Sequence, residues 1–219
     1  MHVNIDHLGR ASVAVARMTP NGFSLLGTAF IIGNDLLVTT KHVTGADDAQ
    51  LFIILPKATS LNDYQDTTDN QAQLLAVQIH AIDPFMDLCV LKVTNGHANE
   101  DYVRAGSDHV KVGAPVILFG FPHADQGRRV LTYQRTEVGA KVLIVAGEQK
   151  FKHLVLNIQA RPGQSGSPIF TEDGRLVAIL IGSYAPGGGG GISLGGVDPH
   201  TLHQTTHAIS AEYIEELIK

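Results

Sequence analysis

A serine stands between two glycines in the segment 163–168, whose sequence is Gly-Gln-Ser-Gly-Ser-Pro, and apolar stretches lie on both sides of it. Because Gly163 and Gly166 can adopt backbone angles closed to other residues, this loop can aim free N–H groups at one small volume. A hydroxyl at Ser165 beside that volume suits a nucleophile whose transition state carries an oxyanion. The segment alone also fits a serine-rich hairpin turn, so the rest of the chain must decide.

Two upstream residues have the chemistry that a serine nucleophile needs. His42 comes just after the apolar strand expected over 35–39, a position that suits a general base. Asp87 precedes the apolar segment 88–93, and its carboxylate could accept the Nδ1–H of a histidine and fix its tautomer. Asp83 is a rival carboxylate, but Asp-Pro is typical of the start of a turn. The order His, Asp, Ser is that of chymotrypsin-type enzymes.

Other reactive side chains have simpler interpretations. Cys89 lies inside an apolar strand, where a buried thiol is expected. His200, His203 and His207 have the spacing of a metal site on a helix, but Pro199 and a pair of threonines argue against a shared helical face. We therefore expect neither a metal nor a cofactor.

Composition excludes several classes of protein. The 219 residues are 44% hydrophobic and 17% charged, as in ordinary globular proteins. A net charge of −5 argues against a nucleic-acid partner, and no apolar run reaches the roughly 18–20 residues of a membrane span. One cysteine excludes an intramolecular disulfide framework, and the first residues lack the pattern of a signal peptide. These observations lead us to expect a cytoplasmic protein without membrane contact.

Short apolar runs rich in Val, Ile and Leu dominate the chain and predict an all-β protein of about thirteen strands. Two six-stranded antiparallel β-barrels would absorb nearly all of them. We expect the first barrel over about 10–94, a linker over about 95–113, the second barrel over about 114–209 and a C-terminal α-helix over 210–219. Residues 57–72 are polar and predict a surface loop, and 187–191 are five consecutive glycines.

Three motifs in this order resemble a known family. The residues around His42, the strand beginning at Asp87 and the segment 163–170 are similar to those of trypsin-like (chymotrypsin-fold) serine proteases. The match is to the disulfide-free bacterial kind, as in HtrA/Deg protease domains and staphylococcal-type glutamyl endopeptidases. It spans roughly 10–219, which implies a single trypsin-like protease domain over 1–219.

The resemblance implies a serine endopeptidase with His42, Asp87 and Ser165 as the catalytic triad. The backbone N–H groups of Gly163, Ser165 and also Gln164 would hold the oxyanion. The partner would be a peptide or protein substrate, with a regulatory protein as a further partner. An alternative is a protease fold that binds peptides without turnover. Digestive enzymes carry an aspartate where Gln164 stands, so activation by cleavage of the N-terminus is not expected.

By the same resemblance, the pocket for the residue before the scissile bond has two walls and a far end. One wall consists of Gln159, Ala160 and Arg161, and the other consists of Ile181, Gly182 and Ser183. Thr206 and Ala208 close the far end. Nothing in this set supplies a counter-charge for Lys or Arg, and His207 is expected to point away, which disfavours Glu. We therefore expect a preference for Ala, Val or Leu. The flexible Gly163 also predicts an oxyanion loop that can switch orientation.

Overall fold

The computed structural model describes residues 4–100, 102–184 and 205–219. Its first six strands form one closed antiparallel barrel in the order β1-β2-β3-β6-β5-β4. The strands are β1 (Ser12–Thr19), β2 (Gly22–Gly33), β3 (Leu36–Thr40), β4 (Leu51–Ile54), β5 (Leu74–Asp83) and β6 (Leu88–Val93).

The remaining described strands form a second closed barrel, in the order β10-β11-β12-β9-β8-β7. They are β7 (Pro115–Gly120), β8 (Thr132–Ala146), β9 (Gln149–Leu156), β10 (Pro168–Thr171), β11 (Leu176–Tyr184) and β12 (Thr205–Ser210). The predicted all-β class with two six-stranded barrels is therefore confirmed.

Strand β2 shows why the apolar runs are nearly continuous rather than alternating. Ala29 and Ile31 lie in the core of the first barrel, whereas Phe30 and Ile32 belong to a cluster shared by both barrels. Successive side chains of a strand point to opposite faces, and here both faces are buried. The shared cluster also holds Phe119 and Phe170 of the second barrel, whose rings meet edge to face at 6.3 Å. The two barrels therefore pack against each other through this shared apolar cluster.

The sequence predicts two strands over 130–138 and 141–146, but the structure has the single strand β8. The register with β9 shifts between Val138 and Ala140, so Gly139 is the extra residue of a bulge and not a turn. A Cβ atom at Gly139 would lie 2.3 Å from Oδ1 of Asn157, which explains the glycine.

Helices are few and short. Helix α1 (Ile5–Arg10), which the sequence analysis missed, is capped by Asn4, whose Oδ1 accepts the N–H of Asp6 at 3.0 Å. Helix α2 (Lys41–Thr44) follows β3 directly. The predicted C-terminal helix begins as a 3-10 turn (Ala211–Tyr213) and continues as α3 (Ile214–Leu217).

Two further expectations concern loops. The polar segment 57–72 contains no strand and lies on the surface, as predicted. Arg129 donates to the carbonyls of Asp69 and Gln71, so this arginine anchors the segment. The glycine run 187–191 lies outside the described residues.

Candidate active site

The first barrel presents His42 and Asp87 at neighbouring strand ends. Strands β3 and β6 pair with Thr40 opposite Leu88, which places the residues after β3 beside those before β6. The backbone N–H of Lys41 donates to the carbonyl of Asp87 at 2.9 Å and closes this junction. Asp87 has a φ of 54°, a left-handed conformation that non-glycine residues adopt rarely and that often marks a functional site.

The carboxylate of Asp87 makes two bonds to His42. Its Oδ1 accepts the backbone N–H of His42 at 2.9 Å, and its Oδ2 lies 2.5 Å from the imidazole Nδ1. A carboxylate oxygen can only accept a hydrogen bond, so Nδ1 of His42 carries the proton in this contact. In the neutral imidazole, Nε2 then has the free lone pair and can act as a base. Asp83, the rival carboxylate, instead accepts the backbone N–H groups of Phe85 and Met86 at 2.7 and 2.9 Å, as a turn residue does.

Ser165 lies in the tight loop between β9 and β10, in the second barrel. Its hydroxyl donates to the carbonyl of Ile181 at 3.0 Å, and among the described residues it has no hydrogen bond to His42. Ser165, His42 and Asp87 nevertheless line one cavity. Hydrogen bonds between a nucleophile and its base are often long or poorly aligned in ligand-free enzymes.

Residues 161–167 form the loop in which the oxyanion hole is predicted, called the oxyanion loop below, and most of their carbonyls accept hydrogen bonds from neighbouring groups. The carbonyl of Pro162 accepts the N–H of His123 at 2.6 Å, and because the peptide is trans, the Gly163 N–H points the opposite way. The carbonyl of Gln164 accepts the N–H of Ser167 at 3.0 Å. Among the described residues, the N–H groups of Gly163 and Ser165 have no hydrogen-bond partner.

Gln164 differs from the expectation that its N–H joins the oxyanion hole. That N–H donates to the carbonyl of Arg161 at 3.1 Å and closes a turn, so it is already used. The side chain is 1% exposed, and its Oε1 accepts the N–H of Arg161 at 2.8 Å. Its Nε2 donates to Oε1 of Gln134 at 2.6 Å. Gln164 therefore stabilises the loop from beneath.

Gly163 and Gly166 have φ values of 89° and 87°. A Cβ at Gly163 would lie 2.4 Å from the carbonyl oxygen of Phe121, and one at Gly166 would lie 2.0 Å from that of Thr28. Both positions therefore exclude any side chain, for steric as well as conformational reasons.

The cavity beside Ser165 is mainly apolar. Its lining residues are His42, Phe85, Met86, Asp87, Ile144, Ala146, Phe151, His153, Ser165, Ile181, Gly182 and His207. Of the predicted pocket residues, Ile181 and Gly182 border it, whereas Thr206 and Ala208 are fully buried. The Thr206 hydroxyl accepts the N–H of Ala160 at 2.9 Å and donates to the carbonyl of Ile158. Its role is thus to tie this loop to β12.

His207 faces this cavity, which corrects the expectation that it points away. It pairs with Val155 across β9 and β12, which puts it on the same face as His153. Burial lowers the pKa of His153 below its ordinary 6.5, an effect opposed by its bond to the Phe151 carbonyl and increased by His207. Burial also lowers the pKa of His207. Both imidazoles therefore favour the neutral form.

The described part of the chain has no cluster of His, Cys, Asp and Glu side chains that could hold a metal ion. Of the three spaced histidines, His200 and His203 lie outside the described residues. Cys89 is fully buried, and burial raises the pKa of its thiol, which makes it a poor nucleophile.

A family model for the trypsin-like peptidase domain matches residues 27–179, a stretch that includes His42, Asp87 and Ser165. The chain belongs to the trypsin-like peptidase family. Among its relatives, a probable periplasmic serine endoprotease, DegP-like, from Pseudomonas fulva is 29% identical over 170 residues. The match covers 75% of this chain and 30% of the relative, so the chain spans under a third of that protein. The resemblance to HtrA/Deg proteases is confirmed.

Solved structures show the same fold. The active form of the Rv3671c protease from M. tuberculosis has a TM-score of 0.70 at 14% identity, covering 98% of this chain and 82% of that one. The MamO protease domain from Magnetospirillum magneticum has a TM-score of 0.67 at 18% identity, covering 97% of this chain and 98% of that one.

The relatives also correct the expected location. DegP-like relatives of this trypsin-like peptidase are named periplasmic, so the cytoplasmic assignment is wrong. The cysteine count misled because a chain of this size can bury enough apolar surface to fold without disulfides. Among the described residues, no helix is long and apolar enough to cross a membrane.

Proposed function

We propose that this chain is a serine endopeptidase that hydrolyses peptide bonds through an acyl-enzyme, with His42, Asp87 and Ser165 as its triad. One observation carries the proposal. The Asp87 carboxylate bonds both the backbone N–H and the Nδ1 of His42, in a cavity that Ser165 also lines. A carboxylate that holds a histidine in one tautomer beside a loop serine is the arrangement that acyl transfer requires.

In the proposed mechanism, the Ser165 hydroxyl turns from the Ile181 carbonyl toward Nε2 of His42. As Oγ attacks the scissile carbonyl carbon, Nε2 takes its proton, and Asp87 stabilises the imidazolium that forms. The imidazolium then gives this proton to the leaving amine, and the acyl group remains on Oγ. His42 then takes a proton from a water molecule as the water oxygen attacks the acyl ester. The imidazolium gives this proton to the departing Oγ of Ser165, which releases the acid and restores the Ser165 hydroxyl.

Within the described ranges of the chain, the N–H groups of Gly163 and Ser165 have no hydrogen-bond partner, which supports an oxyanion hole at this loop. Each such donor contributes roughly 3–4 kcal/mol of transition-state stabilisation, because it is oriented before charge develops. Most carbonyls of the loop, those of Pro162, Gly163 and Gln164 among them, accept hydrogen bonds from other groups, so they do not compete for this volume.

The proposed substrate is a peptide or protein, bound across the apolar cavity, with Ala, Val or Leu before the scissile bond. The proposed protease domain is the whole chain, 1–219. Because the DegP-like relatives are named periplasmic, we propose an extracytoplasmic location for this chain too. A regulatory protein partner is a further part of the proposal, and it would act on the oxyanion loop.

A binding module without turnover is the second candidate, since the Ser165 hydroxyl is bonded to Ile181 and not to His42. A fluorophosphonate probe separates the two. The peptidase labels at Ser165, at a rate that falls when His42 is replaced by alanine. The S165A variant is the control for labelling elsewhere. An intact, folded protein that never labels and never cleaves a peptide library would leave only the binding module.

A further inference from the structure

Thr28 of β2 belongs to the first barrel but makes hydrogen bonds to the oxyanion loop of the second. It is fully buried. Its backbone N–H donates to the carbonyl of Ser165 at 3.0 Å, and its hydroxyl donates to the carbonyl of Gly163 at 2.8 Å. The hydroxyl also accepts the N–H of Phe121 at 3.1 Å. One residue therefore links the barrel of the base to the loop of the nucleophile.

The fit between Thr28 and this loop is close. A Cβ at Gly166 would lie only 2.0 Å from the Thr28 carbonyl oxygen, so the two backbones are in direct contact. The Thr39 hydroxyl donates to that same carbonyl at 2.7 Å and holds it in place. Thr28 is thus fixed by its own barrel while it binds the other.

The orientation of Gly163 depends on contacts, because a glycine has little conformational preference of its own. The peptide plane before it is held by the His123 N–H on the Pro162 carbonyl. The plane after it is held by the Thr28 hydroxyl on the Gly163 carbonyl and by the Gln164 N–H on the Arg161 carbonyl. With both planes held, φ of Gly163 stays at 89° and its N–H direction is set. Without the Thr28 hydroxyl, the Gly163 carbonyl loses its hydrogen bond, and the second plane is held only by the longer bond from the Gln164 N–H to the Arg161 carbonyl.

We propose that Thr28 is a positioning residue for the oxyanion hole, acting through its hydroxyl on the Gly163 carbonyl. It touches neither the substrate nor the reacting atoms. The inference rests on the proposed peptidase function, since it explains how the first barrel holds the loop of the second in a reactive geometry.

The test replaces Thr28 by valine, which keeps the branched shape and the backbone N–H but removes the hydroxyl. Thr28→Ser retains the hydroxyl and is the rescue variant. Ser210→Ala is a matched control, because Ser210 does not line the cavity. Its hydroxyl is also fully buried, accepts the N–H of Ser107 at 2.8 Å and donates to Glu212 at 3.0 Å.

We expect T28V to lower kcat by about 10–10²-fold with KM nearly unchanged, as for a misdirected oxyanion donor. T28S and S210A should stay within about three-fold of the wild-type kcat. Amide hydrogen exchange over 161–167 should be faster in T28V than in T28S or S210A. If T28V does not fold, Thr28→Ala removes the same hydroxyl without filling the space.

Several outcomes would overturn the inference. Wild-type kcat and exchange in T28V would show that the hydroxyl positions nothing. An equal loss in T28V and T28S would assign the effect to packing of the methyl group. If the wild type neither cleaves nor labels, the proposed function fails, and the exchange comparison alone then decides the role of Thr28: equal exchange in T28V and T28S overturns it.

Discussion

At the scale of single residues, Asp87 bonds both the backbone and the side chain of one neighbouring residue. Its two oxygens bond the backbone and the ring of the same histidine, His42. The left-handed φ of 54° turns the Asp87 side chain back toward α2. Bonds of this kind, with an ionised acceptor, are about twice as strong as neutral ones. Asp87 therefore sets both the position and the tautomer of His42.

Replacing Asp87 by asparagine should lower kcat by about four orders of magnitude, because the amide N–H₂ would face Nδ1 and favour the wrong tautomer of His42. Steady-state peptide hydrolysis measures this loss. Asp83→Asn is the matched control, since Asp83 bonds only the N–H groups of its own turn. A large loss in D83N with a small one in D87N would show that the acid is misassigned.

Replacing Ser165 by alanine should abolish peptide hydrolysis while leaving the Tm nearly unchanged. The side chain is only partly buried, and its hydroxyl makes one bond, to the Ile181 carbonyl, that water can replace. Hydrolysis assays and thermal unfolding of both proteins test this. If S165A hydrolyses peptides as fast as the wild type, another group is the nucleophile.

At the scale of elements, the cavity wall is built where β12 pairs with β9. His207 and His153 lie on one face of this pair, and burial lowers the pKa of each. A histidine whose pKa is lower in the folded state binds fewer protons than in the unfolded chain. Stability should therefore decrease as the pH falls below about 6.5, where the unfolded chain becomes protonated first.

The double variant H153Q/H207Q should show a smaller drop in Tm between pH 7.5 and 5.5 than the wild type, because it lacks these two groups. Thermal unfolding at a series of pH values measures the difference. His80→Gln replaces an exposed histidine on β5 and is the control. If the double variant and the wild type lose the same Tm on acidification, these histidines do not cause the acid sensitivity.

At the scale of the whole molecule, the two barrels meet through a shared apolar cluster and bring their functional loops to one cavity. His42 and Asp87 come from the first barrel and Ser165 from the second. Neither barrel alone holds the proposed triad. The cleft between them is also the place where an extended peptide could reach Ser165.

A mixed peptide library should be cleaved mainly after Ala, Val or Leu, with a modest selectivity of about 10–200-fold, as apolar pockets usually give. The apolar lining of the cavity supports this expectation. Sequencing of the cleavage products measures it, with S165A as the blank. Dominant cleavage after Arg, Lys or Glu would show that the pocket was misread.

Local patterns were enough to predict the two barrels and the three candidate catalytic residues. Short apolar runs bounded by turn residues predict strands, and a histidine after β3 or a glycine-flanked serine before β10 is visible in the chain itself. The bulge at Gly139 was missed because a glycine in a strand resembles a turn until its partner strand is known.

The sequence by itself determined the all-β class, most of the strands and the chemical types of the reactive groups, because these depend on neighbouring residues. Only the tertiary structure decided which groups meet. Thr28 and Gly163 are far apart in the chain, and His207 reaches the cavity through the register of β12 with β9. Such contacts depend on how the barrels close and pack. A short-range sequence pattern does not contain this information, because many strand registers are compatible with the same apolar runs.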